Sequence, residues 1–419
     1  MDSIMKKLAL FMLTTLMFSI HVNAQWVPCG SGLEGSGIGG FAADGFNIYT
    51  GNGAGIFMST DNGDNWLVKN NGIIDWQMSP IESLALSGNY IFAGSNMSGI
   101  YRSTDKGENW ERKSKGLPYL VSMDTLFKEV VGSLIINGSN IYAGTYGERD
   151  TINGFYLSTD YGNNWTIKNN GLLEFKANKE VYSLAVNGNN IFAGTRYGVY
   201  MTSDNGDNWI AKNIGMWKSK VFSLAVNGDN IFAGAVSEGI FLSTDNGDNW
   251  KHLSFKDTFV VYLYIKGNYI FASGVGVYVS TDNGNSWIPK YSGITDGVSS
   301  IIINGNYIFA GTLSKGVFRA KLSDLGITDV KEQEQKIEIK IEPNPASDEF
   351  RLRFHSPIET IVQINIFDLL GNCVFSQKLQ SAEGTNEKTI NCEILPQGYY
   401  YVKININEIV ETIPLVIVK

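Results

Sequence analysis

The chain is predicted to be all-β, with seven four-stranded antiparallel sheets closed into a ring and a small β-sandwich after them. Three observations predict this. An eight-residue motif ending in Trp occurs six times between residues 59 and 287, and an Ile-aromatic-small-Gly marker occurs seven times between residues 48 and 311. The composition agrees: 46 Gly, 12% aromatic and only 18% charged residues suit short strands and tight turns better than helices or disorder.

In chain order, residues 1–24 read as a secretory signal peptide. Lys6 and Lys7 form a basic start, Leu8 to Ile20 an apolar run, and Val22-Asn23-Ala24 a small-residue cleavage site before Gln25. That run of about 13 residues falls short of the roughly 20 needed to span a bilayer, and no later segment is longer, so no transmembrane segment is expected after cleavage. The formal net charge of -8, from 33 basic and 41 acidic residues, gives no footprint for phosphate backbones and argues against nucleic acid as a partner. Cys29, Cys373 and Cys392 are too few and too scattered for a disulfide framework or a metal set, so no metal or cofactor is expected. At most Cys373 and Cys392 pair.

Residues 25–327 hold the repeats. The motif copies are Ser59–Trp66, Ser103–Trp110, Ser158–Trp165, Thr202–Trp209, Ser243–Trp250 and Ser280–Trp287. Each has a hydroxyl residue, Asp two positions on, Gly two further and Trp three beyond that, which is the spacing of a hairpin turn. Asp61, Asp105, Asp160, Asp204, Asp245 and Asp282 are read as structural acceptors for turn N–H groups, with Gly allowing φ > 0. The six Trp residues are read as packing between sheets, where an indole removes about 150 to 250 Å² from water. The second marker follows turn signals such as Asn187-Gly188 and Asn227-Gly228, which favour a two-residue hairpin. One unit is therefore four antiparallel strands.

The last unit ends at Gly316-Val317-Phe318-Arg319 without its motif, whereas Trp26, Gly32 and Leu33 near the start reproduce the spacing that follows the motif's Trp. One repeat is thus split between the two ends, which closes a ring and leaves no sheet edge exposed. A mean period of about 43 residues lies in the range of propeller blades. The expected fold is a seven-bladed β-propeller whose N-terminal strand closes the last blade.

The motif resembles the Asp-box (BNR) repeat of sialidases, sortilin-type receptors, xyloglucan-degrading glycosidases and a photosystem-assembly factor. The resemblance implies the propeller fold; it does not choose a function, because that superfamily holds enzymes and non-enzymes.

Residues 328–336 read as a polar linker, and residues 337–419 as a small Ig-like β-sandwich with alternating apolar positions such as Val402, Ile404 and Ile406. Pro343-Asn344-Pro345-Ala346, Asp368-Leu369-Leu370-Gly371 and Leu395-Pro396-Gln397-Gly398-Tyr399 resemble the signatures of the type A sorting domain of the Bacteroidota type IX secretion system. The resemblance implies that this domain engages the type IX machinery and that the protein passes through the periplasm to be secreted or displayed on the outer cell surface.

In a propeller of this strand order, the loops entering the innermost strand and those joining the second and third strands share one face. Two of them are long, Leu117 to Val131 and Thr145 to Gly154, and long loops in a compact repeat are disproportionately functional. Ligand-binding candidates on this face are Trp76, Tyr119, Phe127, Tyr146, Glu148, Arg149, Arg196, Tyr197 and Trp217. No histidine is expected there, since His21 leaves with the signal, His252 follows a motif Trp and His355 lies in the terminal domain. The leading expectation is a non-catalytic module binding an extracellular glycan or protein. The alternative is a xyloglucanase-like glycoside hydrolase using two carboxylates, with Asp124, Glu129 and Asp150 as catalytic candidates. A third reading is an adhesin or structural surface protein.

Overall fold

The computed structural model describes residues 26–33, 37–45, 47–73, 80–96, 98–117, 129–147, 153–172, 179–216, 219–253, 255, 259–327, 339–356, 360–369, 372–382, 384–406 and 409–419. The expected signal peptide and linker lie outside them. The chain divides into two compact units: seven four-stranded sheets run between Val27 and Lys321, almost wholly in the first, and the second consists mainly of Lys331–Lys419.

The fourth sheet shows how a repeat folds. Val181–Asn187, Asn190–Thr195, Gly198–Thr202 and Ile210–Ala211 pair antiparallel in chain order. The first hairpin closes at Gly188, whose φ of 60° is the left-handed conformation its Asn-Gly signal predicts. The motif closes the third turn. Thr202 Oγ1 donates to Asp204 Oδ1 at 2.7 Å and accepts from Gly206 N at 3.0 Å, while Asp204 Oδ1 accepts from Asn208 N at 2.9 Å. The residue before Gly is also left-handed, at φ 57° for Asn205, so the turn uses two such residues where the sequence suggested one.

Neighbouring sheets are joined by the tryptophans. Trp66, Trp110, Trp165, Trp209 and Trp250 are buried, whereas Trp287 keeps some exposure. The indole N–H of Trp165, Trp209 and Trp250 donates at 2.8 Å to Lys113 O, Lys168 O and Lys212 O respectively, each three residues past the preceding sheet's Trp. Trp110 and Trp287 instead donate to their own turns, at Gly107 O and Gly284 O. In five of the six motif copies, Trp250 being the exception, a glycine six residues after the Trp packs on the next Trp's backbone: a Cβ on Gly72 would collide with Trp110 O, and one on Gly171 with Trp209 O. Only glycine fits there.

The first and last sheets obey the same rule. Val27–Pro28 pairs with Val317–Lys321 as the outermost strand of the sheet containing Val298–Asn304 and Tyr307–Thr312, with Val27 opposite Arg319. Ser299 Oγ then donates to Ile38 O at 2.6 Å, and a Cβ on Gly311 would meet the Ile38 side chain, so the seventh sheet packs on the first.

In the second unit, Ile339–Glu342, Glu349–Ser356 and Gly384–Asn391 form one sheet, and Cys373–Ser381, Thr360–Asp368, Gly398–Ile406 and Ile409–Ile417 the other. Period-2 alternation puts Phe350, Leu352, Phe354, Val362, Ile364, Ile366, Val402, Ile404 and Ile406 into one core. Lys419 Nζ donates to Ser347 O at 3.0 Å and Glu393 O at 2.9 Å, fastening the chain end. Cys373 and Cys392 do not pair: Cys373 is exposed, Cys392 buried, and all three cysteines are free thiols.

Candidate functional site

The innermost strands surround a cavity of about 600 Å³. Four of them shift register after their first residue, between Ile38/Gly40, Val181/Ser183, Val221/Ser223 and Val298/Ser300. Such a bulge re-aims the extra side chain. Gly39, Tyr182, Phe222 and Ser299 are the residues skipped, and all four line the cavity. Glu82, in Ile81-Glu82-Ser83, holds the corresponding sequence position and lines it too. Below this tier the serines tie strand to strand: Ser83 Oγ donates to Val131 O at 2.8 Å, and Ser223 Oγ accepts from Leu263 N at 2.8 Å.

The wall is asymmetric. Tyr146 packs where Gly132 leaves room, and its ring lies 5.1 Å from that of Tyr182, which lies 4.8 Å from Phe222. Three rings thus form an arc, while Ser299, Gly39 and Gly40 leave the opposite side low. Lys220 Nζ stands over the Tyr182 and Phe222 rings, 5.4 and 5.9 Å from their centroids. Behind the arc, Glu180 Oε2 accepts from the Tyr182 hydroxyl at 2.7 Å and pairs with Arg196 Nη1 at 3.2 Å.

Electrostatics separates the two carboxylates. Glu180 has a cation and a phenol as partners. Burial raises the Glu82 carboxyl, and a side-chain hydrogen bond from Asn96 acts to lower it. Burial raises the Tyr146 phenol, and the charges of Glu82 and Glu180 raise it further. Tyr182 moves up through burial and its bond to Glu180.

Of the residues predicted from sequence, Tyr146 lines the cavity and Arg196 braces Glu180. Tyr197 is exposed beside Arg196 but is not among the lining residues. Trp76, Tyr119, Asp124, Phe127, Glu148, Arg149, Asp150 and Trp217 lie outside the described residues, as does the side chain of Glu129. His252 sits on an outermost strand against the Phe241 ring, with Nε2 at Glu238 O. Sequence reasoning missed Glu82, Glu180, Tyr182 and Phe222 because it searched the loops. The signal was the column just after the first apolar residue of each copy, which reads Gly39, Glu82, Gly132, Tyr182, Phe222, Val261 and Ser299 and is followed by Ser in five copies and by Gly40 and Tyr262 in the other two.

Ring and sandwich together define the class: an all-β propeller protein with a C-terminal β-sandwich. Residues 340–419 match the family of secretion system C-terminal sorting domains, so the chain carries the type IX address and is destined for the cell surface or release from it. No helix among the described residues is long and apolar enough to cross a membrane. Among curated proteins, no sequence matches this one. Solved structures with a similar fold include YCF48 bound to a D1 peptide (15% identity, TM-score 0.54, covering 73% of this chain and 97% of that one). Another is the extracellular domain of a one component system from B. thetaiotaomicron (16%, 0.57, covering 81% and 46%). A third is an ancestral GH74 enzyme (14%, 0.52, covering 93% and 63%). At these identities the likeness establishes the propeller fold.

Proposed function

We propose that the ring is a non-catalytic binding module that takes a glycan at its central cavity. The observation that carries this reading is the arc of Tyr146, Tyr182 and Phe222 along one side of a cavity whose other described lining residues are Phe41, Tyr262, small and aliphatic residues, serines and one carboxyl. Aromatic rings suit the C–H face of a sugar, and the hydroxyls of Tyr146 and Tyr262 suit its hydroxyl groups. Export places such a site where extracellular glycans are met.

Glycan-array binding by the mature protein, repeated with Tyr182→Ala and Phe222→Ala, tests the reading. Each truncation is expected to weaken the bound glycan by about tenfold, the equivalent of one lost stacking contact. Unchanged binding in both variants would sink it, and release of reducing ends would assign hydrolysis instead.

A further inference from the structure

The ligand's charge is readable from Glu82, on the premise that the cavity binds a glycan as just proposed. Among the described residues lining the cavity, Glu82 is the only carboxylate, and neither Lys nor Arg lines it. Its neighbour Glu180 is matched by Arg196 and by the Tyr182 hydroxyl, so the arginine on this side is already engaged. For Glu82, the stabilising partner is the amide of Asn96. A carboxylate at a cavity wall beside apolar rings is costly to keep charged without a counter-cation, and a ligand that brings the cation removes that cost. The adjoining rings tolerate positive charge, since the Lys220 ammonium stands over Tyr182 and Phe222.

We propose that the cavity selects an amino sugar with a free primary amine, its ammonium paired with the Glu82 carboxylate beside Tyr146. The pairing is non-covalent: no bond is made or broken, and the ligand's ammonium supplies the counter-charge to the carboxylate. It also assigns the wall's asymmetry: the aromatic arc takes the sugar face, and the low side at Gly39 and Ser299 admits the rest of the chain.

Calorimetric titration of the mature protein with a glucosamine trisaccharide and with its N-acetylated counterpart near neutral pH decides the matter. Acetylation removes the charge and keeps the ring. The free-amine form is expected to bind at least about tenfold more tightly, and Glu82→Gln to bring it down to the level of the acetylated form. Equal binding of the two, preference for the acetylated form, or a preference that survives Glu82→Gln would overturn the inference. The wild-type comparison decides even if the variant folds poorly. Binding confined to uncharged glycans would overturn this inference and leave the glycan reading standing. Capture of a lysine-rich peptide with no glycan bound would overturn both.

Discussion

The indole N–H of Trp26 donates to the carbonyl oxygen of Lys290 at 2.6 Å, across 264 residues of chain. It is the same bond that Trp165, Trp209 and Trp250 make to the preceding sheet, because Lys290 stands three residues after Trp287 just as Lys113 stands three after Trp110. Trp66 repeats it on Cys29 O at 2.7 Å, and Cys29 stands three after Trp26. The first strand of the ring is therefore held by the same joint used inside it.

Truncating that joint should open the seventh sheet. Trp26 is 2% exposed, so Trp26→Ala is expected to cost about 3 to 5 kcal/mol in denaturant unfolding, as for other buried aromatic truncations. Val27→Ala, at 41% exposure on the same strand, should change stability by less than about 0.5 kcal/mol. Equal effects at the two positions would contradict the closure.

The motif hydroxyl is expected to matter although it faces no ligand. Ser59 Oγ accepts from Gly63 N at 2.8 Å and donates to Asp61 Oδ1 at 2.9 Å, both within one turn. Ser59→Ala leaves a buried N–H without an acceptor, which costs about 1 to 3 kcal/mol, and Ser59→Thr should restore most of it because Thr202 fills the equivalent place. Urea midpoints of the two variants check this.

Acid should weaken the ring through the motif carboxylates. Side-chain hydrogen bonds from Asn208 and Asn249 hold Asp204 and Asp245 down to about 2, and Asp61, Asp105, Asp160 and Asp282 are lowered as well. A folded value below the unfolded one means the contribution is present above about pH 4 and lost as pH falls toward about 2. Melting temperature measured across that window should drop, and Asp204→Asn should flatten the drop. A melting temperature that rises on acidification would contradict the assignment.

Thiol chemistry separates the three cysteines. Burial pushes the Cys29 thiol up to about 12, and Cys392 is raised by burial as well, whereas Cys373 is exposed. Alkylation of the native protein near pH 8 is expected to modify Cys373 and spare the other two until denaturant is added. Peptide mass mapping reads the result, and early labelling of Cys29 would contradict its burial between sheets.

Much of the fold was legible because the repeats state it many times. The Trp-to-Gly spacing recurs at six of the seven joints for one reason: the glycine lies against the next tryptophan's backbone, and any Cβ would strike it; the joint after Trp250, with Lys256 at that position, lacks it. The site was less legible. Tyr146 and Arg196 could be placed by loop position, but Glu82, Tyr182 and Phe222 sit inside strands, where alternation alone would give them an ordinary pleat position. The register shift turns such a residue into the cavity, and a bulge leaves little trace in the residue types around it.

The sequence by itself determined the strand count per repeat, the turns, the split seventh unit and the export address, because each rests on local spacing or on a short motif read along the chain. Tertiary structure alone decided which side chains share the cavity, that Glu180 is matched by Arg196 while Glu82 is not, and that Cys373 and Cys392 stay apart. Those facts depend on distances between residues remote in sequence. Burial and pairing are set by the neighbours that folding brings together, and no order of letters records them.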